Sequence, residues 1–106
     1  MKTKTRPAHH EPRLRILRHT LDGVWYGMSE KVGDDWIVRD AKRLRRWEGP
    51  SDLSGVAAGT NLKSGTYFTP PVEEVVLSVE NMCGVYAVSE KGKASLDAVE
   101  VRDLPK

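Results

Sequence analysis

Residues 39–59 constrain the fold of this chain most strongly, because a basic run ends there in a tryptophan and a turn. Their sequence is RDAKRLRRWEGPSDLSGVAAG, with five basic and two acidic residues before the turn. In an extended chain the side chains alternate between two faces. The two predicted faces are Ala41, Arg43, Arg45 and Trp47 on one side and Lys42, Leu44 and Arg46 on the other. Neither face is apolar throughout, which is typical of an edge or partly exposed strand whose arginines keep their heads in water.

A short helix is predicted directly after the turn at residues 49–50. Proline fixes φ and has no backbone donor, so the strand ends there. Ser51 or Asp52 can accept a hydrogen bond from a free amide of the first helical turn, and Gly59 or Asn61 can end the helix. Its apolar face consists of residues three and four apart: Leu53, Val56 and Ala57. A helix this short is stabilised by docking rather than by propensity.

Length and composition indicate one small domain with a thin core. The chain has 106 residues, of which 39% are hydrophobic and 30% are charged. A chain of this size buries a smaller fraction of its surface than a larger protein does, so we expect a homo-oligomer. Its single cysteine, Cys83, rules out an intrachain disulfide, and no apolar run approaches the roughly 20 residues of a membrane helix. The basic N-terminus lacks the apolar stretch of a secretory signal. We therefore expect a cytoplasmic protein, in the host cytoplasm if a phage encodes it.

The first twenty residues are the most basic part of the chain, with six lysines and arginines against one acid. Residues 1–12 contain no large apolar residue after Met1, which predicts a flexible basic arm ahead of a single α+β domain at residues 13–106. From Arg13 onward, Leu14 and Ile16 alternate with arginines until Leu17 breaks the register. This pattern predicts a strand near the edge of a sheet.

A hairpin is predicted for residues 22–38. Asp22-Gly23 is a turn signal, an alternating strand follows it, and Gly33-Asp34 separates that strand from a second apolar run. The hairpin is expected to bring together three aromatic residues: Trp25, Tyr26 and Trp36. With Trp47 they could form a stacking surface for nucleobases, but aromatic residues in a small protein belong more often to the core.

The second half of the chain predicts a loop, two strands and a helix. Residues 59–71 form a loop anchored by Tyr67 and Phe68, without a phosphate-loop motif. The valines of residues 72–82 fit both helical spacing and strand alternation; four valines within eight residues favour a strand. Another strand follows, and Ser89 can cap a final helix that Gly92 weakens. The predicted fold is α+β, with an antiparallel sheet of about five or six strands and one or two short helices.

Several short blocks resemble a family of small uncharacterised proteins from tailed phages and prophages. The resemblance spans about residues 20 to 100, and its blocks are Gly23-Val24-Trp25-Tyr26-Gly27, Asp40-Ala41-Lys42-Arg43-Leu44, Trp47 with Gly49, Leu53-Ser54, Gly59, and Val75-Val76-Leu77. The chain departs from that family at Arg45 and Arg46, which stand where the family has two aromatic residues. The resemblance implies a phage-borne accessory protein and assigns no catalytic or binding residue.

The sequence offers no arrangement typical of an active site or a metal centre. Cys83 has no histidine near it in sequence, and neighbouring Glu73 and Glu74 point to opposite faces of a strand. The histidines His9, His10 and His19 are metal-ligand types, but no further ligands stand at metal-binding spacing. We therefore predict a protein that is not an enzyme and that has no metal site and no cofactor.

The basic run provides the candidate binding site. An anion could contact the guanidinium groups while a flat group stacks on an indole, as in nucleotide or nucleic-acid binding. The candidate ligand-binding residues are Arg43, Arg45, Arg46 and Trp47. Arginines that cover apolar surface and pair with acids give the same sequence pattern. Two other functions remain open, namely an inhibitor that binds a host defence protein and a structural or oligomerising component.

Overall fold

The computed structural model describes residues 11–102, which form a seven-stranded sheet and two α-helices. The predicted arm lies outside these residues except for its last two positions. The strands are β1 (Arg13–His19), β2 (Gly23–Val32), β3 (Asp35–Arg46), β4 (Tyr67–Phe68), β5 (Val72–Ser78), β6 (Met82–Ala87) and β7 (Glu100–Val101). The helices are α1 (Leu53–Ala58) and α2 (Glu90–Asp97), and a 3₁₀ helix spans Val79–Asn81.

Five antiparallel strands form the body of the sheet, in the order β6-β1-β2-β3-β5. The end of β3 also pairs with β4, which pairs in parallel with β7. The predicted α+β class, with a sheet and few helices, is confirmed. The strand count exceeds the predicted five or six, because β4 and β7 have two residues each and are too short to show alternation in the sequence.

The sheet curls so that the end of β5 lies close to the start of β6. The three residues of the 3₁₀ helix join β5 directly to β6, and three residues span only about 10 Å. The Val79 amide donates to the Asp34 carbonyl oxygen at 2.9 Å, and the Thr20 amide donates to the Asn81 carbonyl oxygen at 2.9 Å. This connection is therefore held to the turns at both ends of the sheet.

The concave side of the sheet encloses the inner cluster, which consists of Leu17, Trp36, Val38, Ala41 and Leu77. Arg15 is buried beside it with 1% of its surface exposed, and its guanidinium carbon lies 4.9 Å from the Trp36 ring centroid. The predicted position of β1 near an edge agrees with the sheet order, in which β1 lies between the edge strand β6 and β2. The sequence did not indicate the burial of Arg15, which the alternation placed in solvent and which faces the inside of the curled sheet.

The convex side of the sheet packs against both helices through the outer cluster, which consists of Ile16, Val24, Tyr26, Leu44, Leu53, Val56, Ala57, Phe68, Val88 and Leu96. The predicted caps are confirmed. Asp52 accepts from the Gly55 amide at 3.1 Å, and Gly59 ends α1 with φ of 77°. Ser89 accepts from the Gly92 amide at 2.9 Å at the start of α2. These caps fix the ends of both short helices, which pack on the convex side of the sheet.

The predicted hairpin of β2 and β3 is confirmed, but its three aromatic residues do not form one group. Tyr26 faces the outer cluster, where it stacks on Phe68 with ring centroids 5.5 Å apart. Trp25 and Trp36 face the inner cluster, and their cross-strand partners are Arg43 and Lys31. The expectation failed for Tyr26 because adjacent residues of a strand point to opposite faces.

Residues 72–78 form strand β5, which confirms the strand over the alternative helix. The turn or bulge expected at residues 81–84 is a 3₁₀ helix followed by a register shift between β1 and β6. Within residues 11–102, neither helix has the length and apolar character needed to cross a membrane.

Candidate functional site

Two irregularities in β3 determine where the basic run points. The register with β2 shifts between Tyr26 and Met28, and Asp40 has a positive φ of 50°. Gly27 lies opposite, and a Cβ on it would stand 2.7 Å from the Arg39 carbonyl oxygen, so only glycine allows this close approach. The register with β4 shifts again around Arg45. Simple alternation therefore holds only from Ala41 to Leu44.

The second shift places Trp47 on the same side as Leu44, where both contact the outer cluster. The predicted face shared by Arg43, Arg45 and Trp47 is therefore wrong. The reason is the irregularity at Arg45, because an extra residue in one strand reverses the facing of every residue after it. Trp47 is half-buried against the outer cluster.

The three candidate arginines have different environments. Arg46 donates from Nε to Glu48 Oε2 at 2.6 Å, so its charge is already paired. Arg45 is exposed, and among residues 11–102 no acid pairs with it. Arg43 is half-buried, and no described residue accepts a hydrogen bond from its guanidinium. The structure thus separates these arginines rather than bringing them together with Trp47.

Arg43 lies against the turn between β1 and β2. Its cross-strand partner is Trp25, a half-buried indole whose Nε1 donates to the Asp22 carbonyl oxygen at 2.9 Å. A Cβ on Gly23 would stand 2.7 Å from both Nε and Nη2 of Arg43, so the guanidinium covers the bare backbone of Gly23. Gly23 also has φ of 90°, which favours glycine at this turn. Arg43 therefore stands beside Trp25 rather than Trp47.

Gly23 also lines an open cavity of about 500 Å³, which we call the turn cavity. Its lining residues are Arg18, His19, Thr20, Gly23, Val24 and Cys83. Arg18 is exposed, and no acid among the described residues pairs with it. The Asp22 carboxylate lies 3.5 Å from His19 Nδ1. Arg18 pairs across strands with Val24 of the outer cluster, whereas Arg43 pairs with Trp25 beside the inner cluster, so the two guanidinium groups lie on opposite sides of the sheet and Arg43 does not line the turn cavity.

The turn cavity also holds a histidine and a cysteine that the sequence keeps far apart. His19 Nδ1 accepts from the amides of Leu21 and Asp22 at 3.3 and 3.1 Å, so its proton is on Nε2, which lies 3.3 Å from Ser78 Oγ. Cys83 Sγ lies 3.5 Å from the Arg18 carbonyl oxygen. Both ring nitrogens of His19 are therefore occupied, and neither is available to take a proton from the thiol.

No group of three or more histidine, cysteine and acidic side chains in residues 11–102 is arranged to hold a metal ion. His9 and His10 fall outside the described part of the chain. His19 is buried and engaged as above.

Sequence reasoning named Trp25 only within a possible aromatic stacking surface and did not connect it with Arg43, because only the pairing of β2 and β3 brings the two together. The Asp22-Gly23 turn was the available signal, since a glycine there lets another side chain approach the backbone. No protein-family model, no curated protein and no solved structure matches this chain. The function is therefore argued from the geometry around Arg43.

Proposed function

We propose that this protein is a non-enzymatic accessory protein of the phage or prophage type that binds an anionic ligand, a nucleotide or nucleic acid, at Arg43 beside the turn between β1 and β2. The observation that carries the proposal is Arg43, a half-buried guanidinium with no acceptor among residues 11–102. Removing a charge from water is costly unless a partner compensates it. A phosphate group would supply that partner.

The surroundings of Arg43 suit a phosphate attached to a flat group. Arginine presents a planar fork of donors that matches phosphate oxygens in a bidentate manner. Arg43 lies over Gly23 and beside Trp25 on the same side of the sheet, so one ligand can contact its guanidinium and that indole together. Trp25, the partner of Arg43 in the sheet, keeps part of its surface exposed and offers a ring for stacking.

Binding without catalysis is the function this chemistry favours. Cys83 is the one thiol of the chain, and His19, the one histidine among residues 11–102, has both ring nitrogens engaged. Without an available base, the thiol lacks the activation that a nucleophile needs. The phage-type context rests on the sequence blocks that resemble the phage family, and we place the protein in the host cytoplasm on that basis.

A binding screen of the wild-type protein tests the proposal. The probes are nucleotides, cyclic oligonucleotides and short DNA, each titrated at about 50 mM and about 200 mM salt, because phosphate contacts weaken steeply over this range. We expect binding of at least one probe at the lower salt and a clear loss at the higher. If no probe binds at the lower salt, the anion proposal is wrong.

Three arginine variants locate the site. Arg43→Gln is expected to weaken binding about tenfold or more, because it removes a charge-assisted contact to phosphate. Arg18→Ala, on the opposite side of the sheet, should leave binding unchanged. Arg45→Ala is the matched control, since it removes the same charge from the same basic run at an exposed position away from the cavity lining. Equal losses in all three variants would indicate a general charge effect. Melting temperatures show that each variant is folded.

A protein-binding function is the second candidate, as an inhibitor of a host protein. It is favoured by the part of the convex side that the helices leave uncovered, where Met28, Val32 and Val76 are exposed. If the screen with anions fails, this candidate takes first place. A purely structural or oligomerising role would use the same surface, and light scattering at micromolar concentration shows whether the homo-oligomer expected from the thin core exists.

A further inference from the structure

Strand β5 has one free edge. It pairs with β3 along Val72–Ser78, and no described strand pairs with its other side. In a strand, alternate residues direct their backbone amide and carbonyl to the same side. Half of the backbone groups of β5 therefore point away from β3 and are available to a further strand, which is how an extended segment adds to a sheet.

The side chains along this edge combine exposed valines with unpaired acids. Val72 and Val76 are 44% and 52% exposed on the convex side. Glu74 already contacts Arg39, with Oε1 3.7 Å from Nε. Glu73 and Glu80 are exposed, and no basic residue among those described pairs with either.

The acidic character continues past the end of the strand. Asp34, Asp35 and Glu80 line an open cleft of about 400 Å³ beside Ser78 and Val79. Residues 72–81 contain three glutamates and no basic residue. A segment that lies along the edge would therefore meet negative charge near both ends of β5.

We propose that the free edge of β5 binds a basic extended segment of another protein, which adds to the sheet as a further strand. Its backbone would pair with β5, its lysines or arginines would meet Glu73 and the acidic cleft, and its alternate apolar side chains would cover Val72 and Val76. A second copy of this chain is the poorer occupant, because edge-to-edge pairing would bring the glutamates of two β5 strands together. This surface does not include Arg43, Trp25 or the turn cavity, so the proposal is independent of anion binding.

A pair of ten-residue probe peptides with capped ends tests the proposal, one of alternating lysine and valine and one of alternating glutamate and valine. Each is titrated into the isotope-labelled full-length protein, and backbone amide resonances are followed by NMR. We expect the lysine peptide to shift the amides of residues 72–78 and to slow their hydrogen exchange. The glutamate peptide should leave them unchanged. Equal binding of both peptides, shifts confined to another surface, or no binding would overturn the proposal.

Charge reversal provides the control. Glu73→Lys is expected to weaken binding of the lysine peptide about tenfold, because an attractive cross-strand pair becomes repulsive, and to admit the glutamate peptide. Glu90→Lys makes the same change of charge at an exposed position on α2 and should leave both affinities unchanged. Equal effects of the two variants would overturn the proposal. So would a wild-type dimer in light scattering whose β5 amides are already protected, because a second copy would then occupy the edge.

Discussion

At the scale of single residues, the most unusual feature is the arginine inside the curled sheet. Arg15 Nη1 donates to the Ser29 carbonyl oxygen at 2.6 Å, and its guanidinium stacks on Trp36. Burial, with a smaller contribution from the charge of Arg13, lowers the pKa of Arg15 to about 10. Its charge is kept inside the protein because these contacts compensate part of the lost hydration.

Replacing Arg15 by alanine is expected to lower the free energy of unfolding by about 3 kcal/mol. The substitution opens a cavity beside Trp36 and leaves the Ser29 carbonyl oxygen without this donor. Denaturant unfolding measures the change. Arg13→Ala, at the exposed start of the same strand, serves as the control and should cost under about 0.5 kcal/mol. Similar losses in both variants would show that Arg15 is not part of the core.

Tyr26 gives the fold a measurable sensitivity to alkali. Burial, together with the charge of Asp97 and its contact at 3.4 Å, raises the pKa of Tyr26 from 10 to about 12. The folded state therefore holds this proton more tightly than the unfolded state. Its contribution to stability is complete below pH 10 and is lost as the pH rises from 10 toward 12.

Absorbance titration of the phenolate is expected to show a step near pH 12 that Tyr26→Phe removes. The variant should also lose stability less steeply than the wild type above pH 10. A titration curve that keeps its highest step in the variant would contradict the assignment.

At the scale of elements, the contact between α1 and α2 depends on Gly92. A Cβ at this position would overlap the carbonyl oxygen of Ala57. Ser89 reinforces the contact, because its amide donates to the same oxygen at 3.1 Å. The sequence indicated only that Gly92 weakens α2, whereas the structure shows that the glycine lets the two helices approach.

Gly92→Ala is therefore expected to destabilise the protein by about 2 kcal/mol, since overpacking outweighs the better helix propensity of alanine. Ala94→Gly, exposed on the same helix, measures the propensity effect alone and should cost about 1 kcal/mol. Thermal unfolding of both variants measures the two changes in stability. A more stable Gly92→Ala protein would show that the helices are farther apart than described.

The limits of sequence reasoning lie in the same elements. Caps, the hairpin and strand β5 were predictable because each follows from local residue chemistry, such as the capping side chains of Asp52 and Ser89. The burial of Arg15 in β1 was not predictable, because it depends on Trp36 from another strand. The side of the sheet to which Trp47 points was not predictable either. A single irregularity at Arg45 reverses the side on which the following residues lie, and the residue pattern does not show it.

At the scale of the whole molecule, β1 connects the two hydrophobic clusters. Ile16 belongs to the outer cluster and Leu17 to the inner cluster, so neither side of the sheet can lose its packing without exposing the strand they share. The protein is therefore expected to unfold as one cooperative unit despite its two cores.

Leu77→Ala and Leu96→Ala test this expectation, one in each cluster. Each should cost about 3 kcal/mol, because both side chains are fully buried. Tryptophan fluorescence and circular dichroism should give coincident transitions in both variants. Two separate transitions would show that the inner and outer clusters unfold independently.

The central claim is that Arg43 holds an anion beside Trp25 at the turn between β1 and β2, and NMR of arginine side chains tests it directly. The wild-type protein is titrated with inorganic pyrophosphate at about 50 mM salt, where contacts to phosphate are strong, and the Nε–H resonances are assigned from the single variants. We predict that the Arg43 resonance shifts while those of Arg18 and Arg45 stay in place. Equal shifts at all three arginines, or no shift at Arg43, would contradict the claim.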